Sequence, residues 1–404
     1  MTSTPALPLV ESDEHRLLRQ TVSEVAGAFG HDYLVECARA DETPRALWDA
    51  LAEHGFLGVN IPEAYGGGGL GLHELAIVEE EISAVGCPLL PLLVSPGVAG
   101  TIVARHGTDA QRERWLPGLG SGHAHYALGV TEPDAGSNSH RIRTVARPDG
   151  DDWILRGTKT YISGIEDAQV VLVLARTGEP DERGRGSLTL FLVDTDAPGL
   201  GRQDIPTVVE APEHQWTLYF DDVRVGADRV IGGVGDGLKA SFDGLNPERI
   251  LAAALCNGVG RYALGRAAAY ANERSVWGEP IGAHQGVAHP LAEAKVALEA
   301  ARLMTAKAAI LHDAGAPAGD AANMAKLLAA DAAGLCLDRA IQAHGGNGLA
   351  REYGLADLWF TVRLLKIAPV SREMILNHVA QHGLGLPRSY GARTPAAPAA
   401  ASGR

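Results

Sequence analysis

The residues best suited to proton chemistry stand in GLNPERIL, Gly244 to Leu251, where Glu248 follows Pro247 and precedes Arg249. A carboxylate removes a proton from carbon only when burial raises its pKa, because a solvated one is too weak a base. Local rules give the same residues a second role. Asn246 as N-cap, Pro247 at the first helical position and Glu248 in the first turn compose a good helix start. Against that, Leu238, Phe242 and Leu245 already keep helical spacing upstream, which predicts a helix that begins earlier and holds Pro247 inside it. An interior proline costs about 3 kcal/mol and kinks the backbone.

Four other stretches concentrate polar groups. Thr131 to Ser137, TEPDAGS, gathers hydroxyls, a carboxylate and glycine-permitted backbone in a loop, more than turn chemistry requires. In Gly157 to Ser163, GTKTYIS, Tyr161 and Ser163 alternate along a predicted strand and so share a face. Such a face could support a planar cofactor, and a core tyrosine with a surface serine reads the same way. Arg274, Trp277 and Gln285 supply a guanidinium, an indole and an amide around a helix break. Gln342 to Gly348, QAHGGNG, interrupts a helix with glycines whose N–H groups can face an anion.

Other motifs carry less. GGGGLG, Gly66 to Gly71, lacks the Lys-Ser/Thr and the preceding strand of a phosphate loop and reads as a flexible turn. GGVGDG, Gly232 to Gly237, has no βαβ unit around it and reads as a linker. Cys37, Cys87, Cys256 and Cys336 lie far apart and read as buried or free thiols. His123 and His125 lack a third ligand, so no metal site is expected.

These groups need a frame, and 404 residues with 46% hydrophobic content allow two or three globular domains. The formal charge of −14 excludes a global basic footprint for nucleic acid or anionic membrane, while leaving room for a local basic pocket. The N-terminal stretch lacks a secretory pattern and no apolar run spans a bilayer, so a cytoplasmic location is expected. Glu14 to Gly27, Thr43 to His54 and Gly71 to Val85 have helical spacing. From Tyr126, short segments rich in β-branched and aromatic residues predict an antiparallel β domain. Helical spacing returns after Gly237. Ile250 to Val259, Leu291 to Ala301, Asp320 to Ala343 and Leu355 to Gln381 predict a four-helix bundle. The expected class is multidomain α+β: an N-terminal α-helical domain (1–123), a middle antiparallel β domain (124–236), a C-terminal four-helix bundle (237–390) and a disordered tail (391–404).

TEPDAGS, the R-x-x-W-G-x-P-I of Arg274 to Ile281 and the Q-x-x-G-G-x-G run, in this order, resemble the acyl-CoA dehydrogenase flavoproteins over about Leu17 to Tyr390. The resemblance implies FAD, an acyl-CoA or other acyl thioester substrate, reoxidation by an electron-transferring flavoprotein and a homo-oligomer, at least a dimer and usually a tetramer. It places Leu128, Val130 and Thr131 along the isoalloxazine and Ser137 between flavin and thioester. Tyr161 would lie against the ring and Ser163 at its N5 edge. Arg274, Trp277, Gln285, Gln342, Gly345 and Gly346 would hold the pyrophosphate and adenosine from a neighbouring subunit, with Ser371 also near the flavin. Asn246 and Arg249 would meet the substrate.

The implied reaction removes an α proton and passes the β hydride to flavin N5. Near the C-terminus most members carry the base as a glutamate, where this chain has Pro369 in IAPVSR. Members resembling isovaleryl-CoA and long-chain acyl-CoA dehydrogenases carry it before an arginine on a bundle helix, which here is Glu248. The resemblance also implies a backbone N–H donor to the thioester carbonyl at the position of Pro369, and proline has none. Such a donor is commonly worth on the order of 3 kcal/mol. Two alternatives use the same fold: a flavin-dependent monooxygenase or oxidase, and a flavin- or CoA-binding protein without turnover.

Overall fold

Ser12 starts the first helix by accepting the His15 N–H, and Asp13 and Glu14 follow in the first turn, where carboxylates complement the helix dipole. The computed structural model describes residues 10–179 and 187–388, so the tail from 391 lies outside the described residues. Helices α1 (Asp13–Gly27), α2 (Gly30–Ala40), α3 (Arg45–Glu53) and α4 (Leu72–Ala84) come first. A short α5 (Leu90–Leu92) then runs into a π-helical segment, Leu93–Gly100, followed by α6 (Thr101–His106) and α7 (Asp109–Gly120). The spacing predicted α1, α3 and α4. The glycine run before α4 is a turn, but a pinned one: Gly68, Gly69 and Leu70 donate to the carbonyls of Gly58, Ile61 and Val59.

The middle region holds β1 (Tyr126–Gly129), β2 (Val145–Asp149), β3 (Asp152–Ser163), β4 (Val170–Arg176), β5 (Leu188–Asp194), β6 (Leu200–Asp204), β7 (Gln215–Val225) and β8 (Val230–Ile231). They form one sheet in the order β6-β7-β3-β2-β4-β5-β8, with β1 added on β4. Most pairings are antiparallel, as expected, but β4 pairs in parallel with both β1 and β2, so the sheet is mixed. Both faces of β4 are covered. Val170, Leu172 and Leu174 pack with Ile102, Val103 and Leu116 of the helices, while Val171 and Val173 pack with Leu155, Leu218 and Phe220 across the sheet. That burial explains its unbroken apolar run.

Three long helices follow: α8 (Gly237–Glu273), α9 (Gln285–Asp313) and α10 (Gly319–His344), with the hairpin β9 (Ser275–Val276) and β10 (Glu279–Pro280) between the first two. Pro247 does lie inside α8, so Asn246 is not an N-cap. The fourth bundle helix expected over 355–381 is broken into α11 (Trp359–Ile367), α12 (Arg372–His378) and a π turn, Val379–Gly383. The break falls around Pro369, which cannot donate to a helical carbonyl, and Ser371 restarts the helix by accepting the Met374 N–H.

The N-terminal helices and the bundle share one apolar core, in which Val22, Leu47 and Leu75 join Leu255, Val259, Leu298 and Ala333. α4 and α8 approach closely at Gly258, where a Cβ would stand 2.4 Å from the Glu80 carbonyl. Beside this crossing Glu80 accepts from Arg261 (2.9 Å) and Arg302 (2.7 Å), and Glu81 accepts from Arg19 (2.6 Å) and Arg261. Burial would raise the Glu80 pKa, but Arg19, Arg302 and Arg261 outweigh it and hold it below the ordinary range. Removing one partner of such a cluster strands buried charge. Glu80→Ala should therefore lose about 3 kcal/mol of stability in denaturant unfolding near neutral pH. Because the folded-state pKa is depressed, the contribution is complete above roughly pH 5 and is lost as pH falls through that pKa. Wild type and variant should accordingly converge in acid.

Candidate active site

One half of the site is built on β3 and the loop after β1. Leu128 and Val130 are half-buried against the helix-side core of the sheet. Thr131 donates its hydroxyl to the Thr160 carbonyl and accepts the Thr160 N–H on its own carbonyl, tying the TEPDAGS loop to β3. Glu132 and Ala135 exchange both backbone hydrogen bonds, at 3.1 Å each, and Ser137 lies exposed beyond them.

What holds this loop is a pair that the sequence reading passed over. Lys159, fully buried, donates to the Val130 carbonyl at 3.0 Å and to Glu132 Oε1 at 2.9 Å. The other donors to Glu132 are the Arg143 and Thr144 N–H groups. Burial alone would raise the Glu132 pKa; the Lys159 charge, with donors from Thr144 and Arg143, outweighs it and keeps the carboxylate ionised. The signal was present as an acid in the loop and a lysine in the strand, 27 residues apart, with nothing local to join them.

Tyr161 and Ser163 sit on β3 beyond Lys159, but strict alternation fails between Lys159 and Ile162, where a bulge shifts the register against β7. Tyr161 is at that bulge with φ +56° and is 64% exposed, so its side chain lies outside the core. A left-handed tyrosine costs of order 1–3 kcal/mol and is found chiefly where function holds it. Ser163 donates to Gln215 Oε1 at 3.0 Å. An exposed ring beside a tethered hydroxyl loop offers a platform for a flat heterocycle, so these residues fit an isoalloxazine.

The other half is on α8. Gly244 allows this helix to press on the π-helical segment, since a Cβ there would stand 2.8 Å from Ile102 and Val98. Gly97 does the same from the opposite side, 2.2 Å from Leu251. One turn after Gly244 comes Glu248. Among the described residues no donor hydrogen-bonds to its carboxylate. Burial pushes its pKa up to about 7, against the pull of Arg249 and Lys326. Arg249 donates to Asn246 Oδ1 at 3.2 Å and keeps a buried Nε without an acceptor, so a guanidinium donor is left for a ligand. Lys326, buried on α10, donates to the Val370 carbonyl at 2.7 Å and secures the segment after Pro369. The sequence showed Lys326 only as an isolated charge in an alanine-rich helix. Ser371 is half-buried and already caps α12.

The remaining predicted contacts lie elsewhere on the chain. Arg274 follows α8, and Trp277-Gly278 form the turn of the β9–β10 hairpin at φ +53° and +90°. Such turns favour Asn-Gly or Gly-Gly, so a tryptophan there, 91% exposed, is held against its own preference. Gln285 opens α9, and Gln342, Gly345 and Gly346 mark the end of α10, all exposed. Asn347 fixes that loop by donating to Tyr270 and Tyr353, each at 3.0 Å. Within one chain no hydrogen bond joins this set to Thr131, Tyr161 or Ser163 among the described residues. All four cysteines are free and buried. His125 stacks on Trp48 at 4.2 Å, while His123 is exposed.

The chain is similar to known proteins over most of its length. Models of the acyl-CoA dehydrogenase N-terminal, middle and C-terminal domains match residues 12–123, 127–223 and 235–384. The chain is 51% identical over 383 residues to acyl-CoA dehydrogenase FadE12 of Mycobacterium tuberculosis, covering 94% of this chain and 98% of that one. Butyryl-CoA dehydrogenase of Megasphaera elsdenii has a similar structure, with a TM-score of 0.89 at 26% identity over 93% of this chain and 100% of that one. A glutaryl-CoA dehydrogenase of Mycobacterium smegmatis in complex with FADH2 gives 0.87 at 26% identity, covering 94% and 97%. These matches favour dehydrogenation over the monooxygenase and binding-only alternatives, and the chain belongs to the acyl-CoA dehydrogenase family of FAD-dependent oxidoreductases.

Proposed function

We propose that this acyl-CoA dehydrogenase takes the α proton of its thioester substrate with Glu248. The observation that carries the assignment is a half-buried carboxylate with no donor among the described residues, its pKa raised to about 7 by burial and set beside Arg249 and Lys326. A base is most effective when its pKa lies near the working pH. FAD, when bound, accepts the hydride of the β carbon. Thr131, Tyr161 and Ser163 orient its ring, and Asn246, Arg249 and Ser137 serve the substrate. Pro369 supplies no N–H, but the adjacent Val370 N–H has no acceptor among the described residues, which supports it as a replacement donor to the thioester carbonyl.

The cofactor's far end draws on a second copy of the chain. Arg274 lies 26 residues beyond Glu248, which along an α-helix is about 40 Å. Arg274, Trp277, Gln285, Gln342, Gly345 and Gly346 therefore serve the neighbour's flavin. The reading extends to a homotetramer of cytoplasmic fatty-acid metabolism that is reoxidised by an electron-transferring flavoprotein. No helix among the described residues is long and apolar enough to cross a membrane.

Glu248→Gln should bind acyl-CoA yet slow anaerobic flavin bleaching by about 10³-fold, and bleaching at the wild-type rate would overturn the assignment. Only the ionised carboxylate accepts a proton. The kcat/KM of the wild type should thus rise through about pH 7 and fall near tenfold per unit below it, a limb absent in the variant. Lys159→Met leaves Glu132 buried without its cation, so the purified variant should carry markedly less flavin than wild type, read as the ratio of visible to ultraviolet absorbance.

A further inference from the structure

The loop between β6 and β7 carries a carboxyl group that the proton-transfer chemistry does not use. Glu213, 9% exposed, accepts no hydrogen bond from another residue on either carboxylate oxygen among the described residues; only its own backbone N–H lies close enough to favour the ionised form. Polar atoms so placed are rare in folded proteins and call for a partner. Among the described residues Glu213 has no ion-pair partner, and the nearby charges Glu166 and Asp167 are of its own sign. Burial, then these two neighbours, push its pKa up to about 8, so near neutrality it is mostly a carboxylic acid that can both donate and accept.

Its position relates it to the substrate. Glu213 lines a cavity with Leu90, Val94, Ser95, Tyr126 and Ser163. Ser163 belongs to the flavin strand, while Val94 and Ser95 belong to the π-helical segment against which α8 presses one turn before Glu248. The cavity thus lies between the two halves of the site and has room for about one water molecule, so it fits the polar end group of an acyl chain rather than the chain itself. The histidine at its rim, His125, is pushed down to about 4 by burial and offers no positive charge. A second buried carboxyl, Glu79 on α4, is pushed up to about 8 by burial, accepts the Ser83 hydroxyl at 3.1 Å and has one oxygen without a donor.

We propose that Glu213 selects acyl chains that bring a hydrogen-bond donor, a hydroxyl or an ammonium, to this cavity, and that it rejects chains ending in a carboxylate. The proposal rests on the reading of this site as a thioester dehydrogenase with Glu248 as base. A hydroxyl finds an acceptor in the neutral acid; an ammonium ionises Glu213 and pairs with it; a carboxylate meets the Glu213 carboxyl with Glu166 and Asp167 near it.

The test is anaerobic flavin bleaching of the holoenzyme by four-carbon and six-carbon acyl-CoA esters whose chains end in methyl, hydroxyl, ammonium or carboxylate. At one length or both, kcat/KM for the hydroxyl or ammonium chain should exceed that for the methyl chain at least tenfold, with the carboxylate chain lowest. The hydroxyl and ammonium arms separate the two donor chemistries. Glu213→Leu should reverse the order in favour of the methyl chain, and Glu213→Gln should retain a hydroxyl preference while losing an ammonium one, each at wild-type flavin content. Equal kcat/KM for methyl and donor-ended chains in the wild type, with no change of order in Glu213→Leu, would overturn the proposal and leave a carboxyl satisfied by water. Bleaching by none of the esters would instead overturn the dehydrogenase reading and this proposal with it.

Discussion

As the proposed base, the carboxylate of Glu248 must be enclosed enough to hold its proton near neutrality and open enough to meet a C–H bond, and the packing of α8 suits both demands. Enclosure comes from close helix approach. Gly244 and Gly97 remove the side chains that would keep α8 from the π-helical segment, and Pro247 lies inside the helix directly before the base. Openness comes from withholding donors, for a hydrogen-bonded carboxylate would fall in pKa and lose strength as a base. Arg249 and Lys326 limit the rise without touching the carboxylate, and each has other duties, Arg249 with Asn246 and Lys326 with the Val370 carbonyl. The same bundle core that stabilises the chain therefore also sets the surroundings of the Glu248 carboxylate.

Strain in the flavin half is met by local pinning. Four non-glycine residues adopt positive φ among the described residues, and Tyr161 and Trp277, both exposed aromatics assigned to FAD, are two of them. Neither conformation is explained by burial, since neither ring contributes to the core. Each is held by its surroundings, Tyr161 by the bulge between β3 and β7 and Trp277 by a two-residue hairpin. Near Tyr161 the buried Lys159–Glu132 pair ties β3 to the TEPDAGS loop, so the ring and the Thr131 hydroxyl move as one body.

Much of this was legible in the sequence because its signals are local. The spacing of Leu238, Phe242 and Leu245 placed Pro247 inside a helix, while Glu248 was singled out by the family resemblance, in which Pro369 stands where most members carry the base. The parallel pairings of β1 and β2 with β4 were not legible, because strand direction depends on partners distant in the chain. Alternation gave the face of Tyr161 but not the bulge that turns it. Lys159 and Glu132 were each visible and their union was not. Glu213 lay beyond reach altogether, since in VVEAPEHQW it reads as a solvated loop acid, and only packing against α5 and the π-helical segment encloses it.

The length of α8 has a last consequence. About 40 Å of rigid helix separates Glu248 from Arg274, so on the proposed reading one chain presents two incomplete half-sites rather than one whole site. Exposed apolar side chains lie near the second half-site, among them Trp277 and Leu349. Isolated, they cost solubility; in the proposed symmetric pair, each copy would cover the other's cofactor. Cofactor binding and assembly are then thermodynamically linked, because a ligand that bridges two copies stabilises the assembled form by mass action and is itself retained by it. On the proposed reading, the rigid helix makes chemistry at Glu248 of one copy depend on the hairpin of another.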